Sequence, residues 1–247
     1  MDSLRTNDRT NFVSFSGIDG AGKSTQIDAL CTWLREDGRK VILIRFWDEV
    51  ARLTRLREST GHRLFNGDKG IGTPALPINR RDKNVQSSLM TVGRLILYFI
   101  DALSLRAAVR TALRSDADLV IFDRYIYDEL ANLPLRSPAI RMYIRLINKL
   151  VPKPQISYFL DADPAEARER KPEYPLEFLH INRQAFLDLC DLIGGMNVIP
   201  PMPIQEVRRA IFQLAFEKIS FRDPDGKGNG ALTVSADSVQ FAGLDRT

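Results

Sequence analysis

The chain has 247 residues, 44% hydrophobic and 27% charged, with 35 Lys and Arg against 31 Asp and Glu. This composition excludes a disordered or collagen-like chain and can fill a core without staples. Two cysteines without metal-type spacing and only two histidines argue against a disulfide framework, a histidine metal site and a Ser-His-Asp triad. A net charge of +4 suits anionic substrates, and no basic run is interleaved with aromatics, which argues against nucleic acid. The opening "MDSLRTNDRT" lacks the apolar centre of a signal peptide. The greasiest run, "GRLILYFIDALSL", is broken by Asp101 and is too short to span a bilayer. The expectation is a cytoplasmic, soluble protein with no membrane contact.

In chain order, short continuous apolar runs fall at Phe12–Phe15, Val41–Ile44, Leu119–Phe122, Ile156–Leu160 and Val198–Ile199. Continuous runs, unlike alternating ones, mark strands covered on both faces. Helical spacing lies between them. Ile27, Leu30, Cys31 and Leu34 share one face of a first helix. A long helix is expected over roughly Val85 to Arg114, with others over Pro138–Leu150 and Leu176–Leu192. Ile204, Val207, Ile211, Leu214 and Ala215 mark a last one. Strands alternating with helices imply parallel crossovers and a three-layer α/β fold, with substrates at the carboxyl ends of the strands.

Two stretches break the rhythm. Ser59–Lys83 is rich in Gly, Pro and charge, and reads as an insertion or flap. The segment 221–247 loses periodicity and reads as a tail after a single domain over residues 1–220.

Chemistry concentrates in Gly17-Ile18-Asp19-Gly20-Ala21-Gly22-Lys23-Ser24, which satisfies G-x-x-x-x-G-K-[ST]. Glycines let backbone N–H groups turn inward on phosphate oxygens, and the helix that follows adds unpaired N–H groups and its positive dipole end. Gly17, Asp19, Gly20, Ala21, Gly22, Lys23, Ser24 and Thr25 are therefore the candidate ATP-binding residues. Lys23 should reach the β- and γ-phosphates, and Ser24 should hold Mg²⁺. A strand before the loop and an amphipathic helix after it supply the context the motif needs.

A GTPase should show Asn-Lys-x-Asp; here Asn148-Lys149-Leu150-Val151 has no aspartate. The strand "DLVIFDRY" ends in Asp123-Arg124-Tyr125 rather than the Asp-Glu of a motor-type ATPase. Asp123 can help place Mg²⁺, and Arg124 can grip a second anion, which favours transfer to a phosphorylated acceptor over hydrolysis.

Three segments resemble the thymidylate kinase family of P-loop nucleoside monophosphate kinases: "FVSFSGIDGAGKSTQ", "VIFDRYIYDELAN" and "PQISYFLDADPAEARERK". The resemblance implies a five-stranded parallel sheet with helices on both faces. It implies an ATP-dependent kinase of nucleotide biosynthesis that moves the γ-phosphoryl to a nucleoside monophosphate such as dTMP. It implies that Asp19 lies near the acceptor sugar, that Arg124 binds the acceptor phosphate and that Tyr98 falls where an aromatic stacks on the base. Tyr98 also stands among Leu95, Leu97 and Phe99, as a core aromatic would. A lid near 165–175 would carry Arg168, Arg170 and Lys171, since no arginine stands inside the loop. Similar kinases often form homodimers, and the helix around Leu95–Leu105 would either face a second copy or fill the core.

The acceptor side departs from that pattern. Asp48 and Glu49 stand where the family carries an Arg-Glu-Pro-like segment, leaving Arg45, Arg52 or Arg55 as candidates for the acceptor phosphate. Ala102 replaces the arginine that reads thymine, Asp128 replaces a small hydroxyl residue, and Asn132 replaces an aromatic. A deoxynucleoside or other small-molecule kinase, with Asp48 or Glu49 as base, is the alternative enzyme. A nucleotide-binding regulatory module without turnover is the alternative outside catalysis.

Overall fold

The computed structural model describes residues 10–50 and 88–219. The region 59–83 and the tail 221–247 lie outside the described residues, as do Arg52 and Arg55. Five strands form one parallel sheet: β1 Asn11–Ser16, β2 Val41–Arg45, β3 Leu119–Asp123, β4 Ile156–Leu160 and β5 Met196–Ile199. Their order across the sheet is β2-β3-β1-β4-β5. The central strands β1, β3 and β4 are buried almost end to end, which is why they read as unbroken apolar runs. The edge strand β5 begins two residues before its apolar pair, because Met196 and Asn197 are placed by their ladder to Ser157 and Tyr158.

The described α-helices are α1 Lys23–Glu36, α2 Ser88–Ala112, α3 Ile126–Leu130, α4 Pro138–Leu150, α5 Pro164–Arg170, α6 Leu176–Ile193 and α7 Ile204–Lys218. A π-helical turn, Phe46–Val50, follows β2. The short α3 and the π-helical turn have no counterpart in the sequence reading, because five residues hold too little of a period to register. Helix contacts sort into two groups. α1 packs on α7, with Trp33 against Phe212 and Phe216, while α2, α3, α4 and α6 pack among themselves. The sheet lies between, with Phe15, Phe122, Tyr158 and Phe159 among its fully buried side chains.

The order across the sheet places the site. β1 lies between β3 and β4, so the segments leaving the carboxyl ends of these three strands converge. The parallel register pairs Phe15 with Asp123 on one side and Arg45 with Asp123 on the other. Asp123-Arg124 is thereby set beside the loop that begins at Gly17, although more than a hundred residues separate them in the chain. Among the described residues no helix is long and apolar enough to cross a membrane.

Candidate active site

The loop Gly17–Gly22 connects β1 to α1 with positive φ at Gly17, Gly20 and Gly22. Two glycines are required by contact as well as by φ. A Cβ on Gly17 would meet the Leu160 carbonyl oxygen of β4 at 2.5 Å, and one on Gly20 would meet the Ala167 carbonyl oxygen of α5 at 2.1 Å. The loop is thus seated directly on backbone from β4 and α5. Within it, Ala21 N–H donates to Ile18 O at 3.2 Å.

Lys23 opens α1 with its side chain folded back across the loop. Its Nζ donates to Gly17 O at 2.7 Å and Ile18 O at 2.8 Å, and the residue is only 6% exposed. Burial lowers its pKa to about 8, the charge of Arg124 adds to the drop, and Asp19, Asp128 and Asp123 partly oppose it. Ser24 and Thr25 are exposed in the first turn.

Arg124 follows β3. Among the described residues it alone combines a side chain with positive φ, at 69°. Such a conformation costs an ordinary residue on the order of 1–2 kcal/mol and persists only where its surroundings enforce it. Here Arg124 N–H donates to Phe15 O at 2.9 Å, which fixes the turn to β1. Its guanidinium is held on two sides: Nη1 donates to Asp128 Oδ1 at 3.0 Å, and Nη2 pairs with Asp19 Oδ1. Burial works against the charge, yet Asp128 and Asp19 more than offset it and raise the Arg124 pKa. Asp128 is sequestered, its side chain 2% exposed, and its Oδ2 accepts from Ser16 Oγ at 2.7 Å and Tyr125 N–H at 3.3 Å. Asp123 has its pKa raised, by burial first and by Asp128 as well, with Arg124 and Lys23 pulling the other way.

The third segment is α5 with the turn after it. Asp163 caps α5, its Oδ1 accepting from Ala165 N–H at 2.8 Å and Glu166 N–H at 3.2 Å, and proline fills the first helical position. Arg170 lies at the mouth of the loop, its Nη1 3.9 Å from where a Cβ on Gly22 would stand. It donates to Glu166 O at 3.2 Å and to Glu166 Oε2 at 3.3 Å. Arg168 is half-buried on the same helix. Lys171 Nζ is 4.0 Å from Asp19 Oδ1 and 3.4 Å from Glu173 Oε2. α6 is tied to the end of β4 by a two-pronged pair, Arg183 Nε to Asp161 Oδ1 at 2.6 Å and Nη2 to Oδ2 at 2.7 Å.

The structure therefore brings together Gly17, Asp19, Gly20, Ala21, Gly22, Lys23, Ser24, Asp123, Arg124 and Arg170, drawn from three separate stretches of sequence. It sets Tyr98 elsewhere in character: 5% exposed and inside the core cluster, with Asp101 and Ala102 fully buried beside it on α2. The packing matches the core alternative for Tyr98. Glu49 does not project as a free carboxylate, because its Oε1 accepts from Arg45 N–H at 3.0 Å and closes the π-helical turn. Ser16 is a residue that sequence reasoning missed, since it reads as one more strand position; nothing short of the fold puts its hydroxyl against Asp128.

Chemically the arrangement offers a cradle of backbone N–H groups for phosphates, a buried ammonium, and a guanidinium presented next to it. Among the described residues no cluster of three His, Cys, Asp or Glu could hold a metal.

No family model matches the chain. Individual relatives do. A thymidylate kinase of Bifidobacterium longum strain DJO10A is 30% identical over 191 residues, covering 72% of this chain and 83% of the relative. The chain belongs to the thymidylate kinase family. A probable thymidylate kinase of Thermococcus gammatolerans is 28% identical over 217 residues, covering 84% of this chain and 97% of its own. Among solved structures, thymidylate kinase from Candida albicans superposes with a TM-score of 0.54 at 19% identity, over 84% of this chain and 91% of that one. The enzyme from Ehrlichia chaffeensis gives 0.50 at 21% identity, over 83% and 97%. At such identities the structural likeness speaks for the fold: a three-layer P-loop α/β fold with a five-stranded parallel sheet. The chain is a thymidylate kinase-like phosphotransferase by family.

Proposed function

We propose that this chain transfers the γ-phosphoryl group of ATP to dTMP, with Mg²⁺ as cofactor. The observation that carries the reading is Arg124, held in a left-handed backbone conformation with its guanidinium beside the phosphate loop. In this reading Gly17–Thr25 bind the ATP phosphates, and Lys23 exchanges its two loop carbonyls for phosphate oxygens. Ser24 and Asp123 hold Mg²⁺, which supplies charge neutralisation on the transferring group. Arg124 and Asp19 face the acceptor. Arg168 and Arg170 add positive charge from α5 where negative charge builds in transfer. No general base is assigned, because a phosphate acceptor is already ionised near neutral pH.

The deciding experiment is an ADP-release assay across nucleoside monophosphates and nucleosides, with and without Mg²⁺. Rates that depend on dTMP and on Mg²⁺ support the proposal; slow hydrolysis unchanged by every acceptor defeats it. Glu49 is engaged in its own turn while Asp48 beside it is exposed, so the nucleosides in this assay are the test of the nucleoside-kinase alternative. A homodimer is part of the proposal. On α2, Val92, Ile96, Phe99 and Leu103 are 54%, 57%, 42% and 46% exposed and share one face. A second copy would cover that row by a two-fold contact. A monomeric mass in sedimentation equilibrium would end the dimer proposal.

A further inference from the structure

Asp128, on α3 four residues after Arg124, has a placement that gives it a task. Both of its carboxylate oxygens are engaged: Oδ1 with Arg124 Nη1 at 3.0 Å, Oδ2 with Ser16 Oγ at 2.7 Å and Tyr125 N–H at 3.3 Å. With its side chain 2% exposed, it cannot turn away without stranding buried polar groups. Asp19 contrasts with it. It sits on the loop, 19% exposed, with Lys171 Nζ already 4.0 Å from the same oxygen that pairs with Arg124. When an anion approaches Arg124, Asp19 has a second cation to turn to, whereas Asp128 stays.

Arg124 thus meets any incoming anion with part of its charge permanently offset by a fixed carboxylate. We infer that Asp128 is a specificity-determining residue that weakens the hold of Arg124 on an anion and so sets how tightly the acceptor phosphate is bound. The inference rests on the reading of Arg124 as the acceptor-phosphate ligand. A small hydroxyl at this position would leave the guanidinium charge whole. With the carboxylate, the phosphate contributes less to acceptor affinity, and the phosphorylated product is released more readily.

The test separates charge from shape. Asp128→Asn keeps the size, and its Oδ1 still accepts from Arg124, while the Ser16 hydroxyl can reverse to accept from Nδ2 and only the long 3.3 Å bond from Tyr125 N–H is lost. Inorganic phosphate is titrated by calorimetry with Mg·ADP saturating the phosphate loop, and the KM values for dTMP and ATP are measured alongside. In Asp128→Asn the phosphate Kd falls at least about fivefold, since the neutral amide no longer offsets the Arg124 charge in a partly desolvated site. The dTMP KM falls in parallel, and the ATP KM stays within about twofold because the donor loop is untouched. In an Arg124→Ala background the gain disappears. Asp128→Ser serves as a second variant and must move the phosphate Kd in the same direction. Phosphate binding that is unchanged, weaker or undetectable in these folded variants overturns the inference. Absence of dTMP-dependent ADP release by the wild-type protein would instead remove the proposed function, and the phosphate titration would still decide the role of Asp128.

Discussion

Gly20→Ala tests the contact between the phosphate loop and α5. Gly20 has φ +83°, and the added Cβ would lie 2.1 Å from the Ala167 carbonyl oxygen. An ordinary carbon–oxygen contact needs about 3.3 Å, so loop and helix must separate by roughly 1 Å. That oxygen belongs to backbone and accepts from Lys171 N–H at 3.0 Å, so no flexible tip can yield instead. The left-handed conformation costs about 1–2 kcal/mol and the overpacking about 1–3 kcal/mol, or about 2–5 kcal/mol together. For a chain of this size each kcal/mol shifts Tm by about 2–4 °C, giving a loss of about 4–20 °C. Gly38→Ala is the control. It shares a positive φ of +75° but has nothing within 4 Å of its Cβ, so only the backbone cost applies, about 2–8 °C. The two differ further in function. A 1 Å displacement at the reacting groups can lower turnover by up to about 100-fold, so Gly20→Ala should lose ATP turnover and Gly38→Ala should not. Thermal melts and ATP KM measurements on both variants decide it. Equal Tm losses, with ATP KM in Gly20→Ala within twofold of wild type, would refute the reasoning.

Lys23→Met should lower ATP turnover at least about 100-fold, and a coupled assay measures it. The same variant tests the burial of Lys23. With its folded pKa at about 8 against 10.5 for an ordinary lysine, the unfolded chain binds more protons between those pH values, so stability rises with pH across that window. The gain attributable to Lys23 is at most about 3 kcal/mol and is fully absent below pH 8. Urea unfolding at pH 7.5 and pH 10 should show a steeper rise for wild type than for Lys23→Met; parallel slopes contradict it. Arg124→Ala should raise the dTMP KM while leaving the ATP KM near normal, and a loss confined to ATP binding would count against its acceptor role. Arg124→Gly should be more stable than Arg124→Ala by about 1 kcal/mol in denaturant unfolding, because only glycine accepts the positive φ without strain.

Much of the fold was legible because three central strands are buried on both faces and announce themselves as apolar runs. α4 spans Pro138–Leu150 as the periodicity and the leading proline indicate. α1, α6 and α7 are marked just as clearly by residues such as Leu30, Phe186 and Ile211 that return to the core every three or four positions. The short α3 escaped because it is positioned by tertiary contact, with Ile126, Tyr127 and Leu130 all buried. Tyr98 shows a different limit. A resemblance can align an aromatic with a base-stacking position, but a spacing argument cannot say whether that ring is exposed, and here it is 5% exposed.

The sequence by itself determined the phosphate loop. Its chemistry is local: glycines, a lysine and a serine at fixed spacing, between a strand and a helix, are enough to point N–H groups at phosphate. It also determined the strand end Asp123-Arg124. Only the tertiary structure decided what Arg124 meets. The β2-β3-β1-β4-β5 order brings Asp19 to the guanidinium that Asp128 holds from its own helix, puts Ser16 against Asp128 and sets Lys171 near Asp19. The physical reason is that charges act through space. Asp19 and Arg124 are far apart in the chain, and a parallel sheet register is what makes them an ion pair.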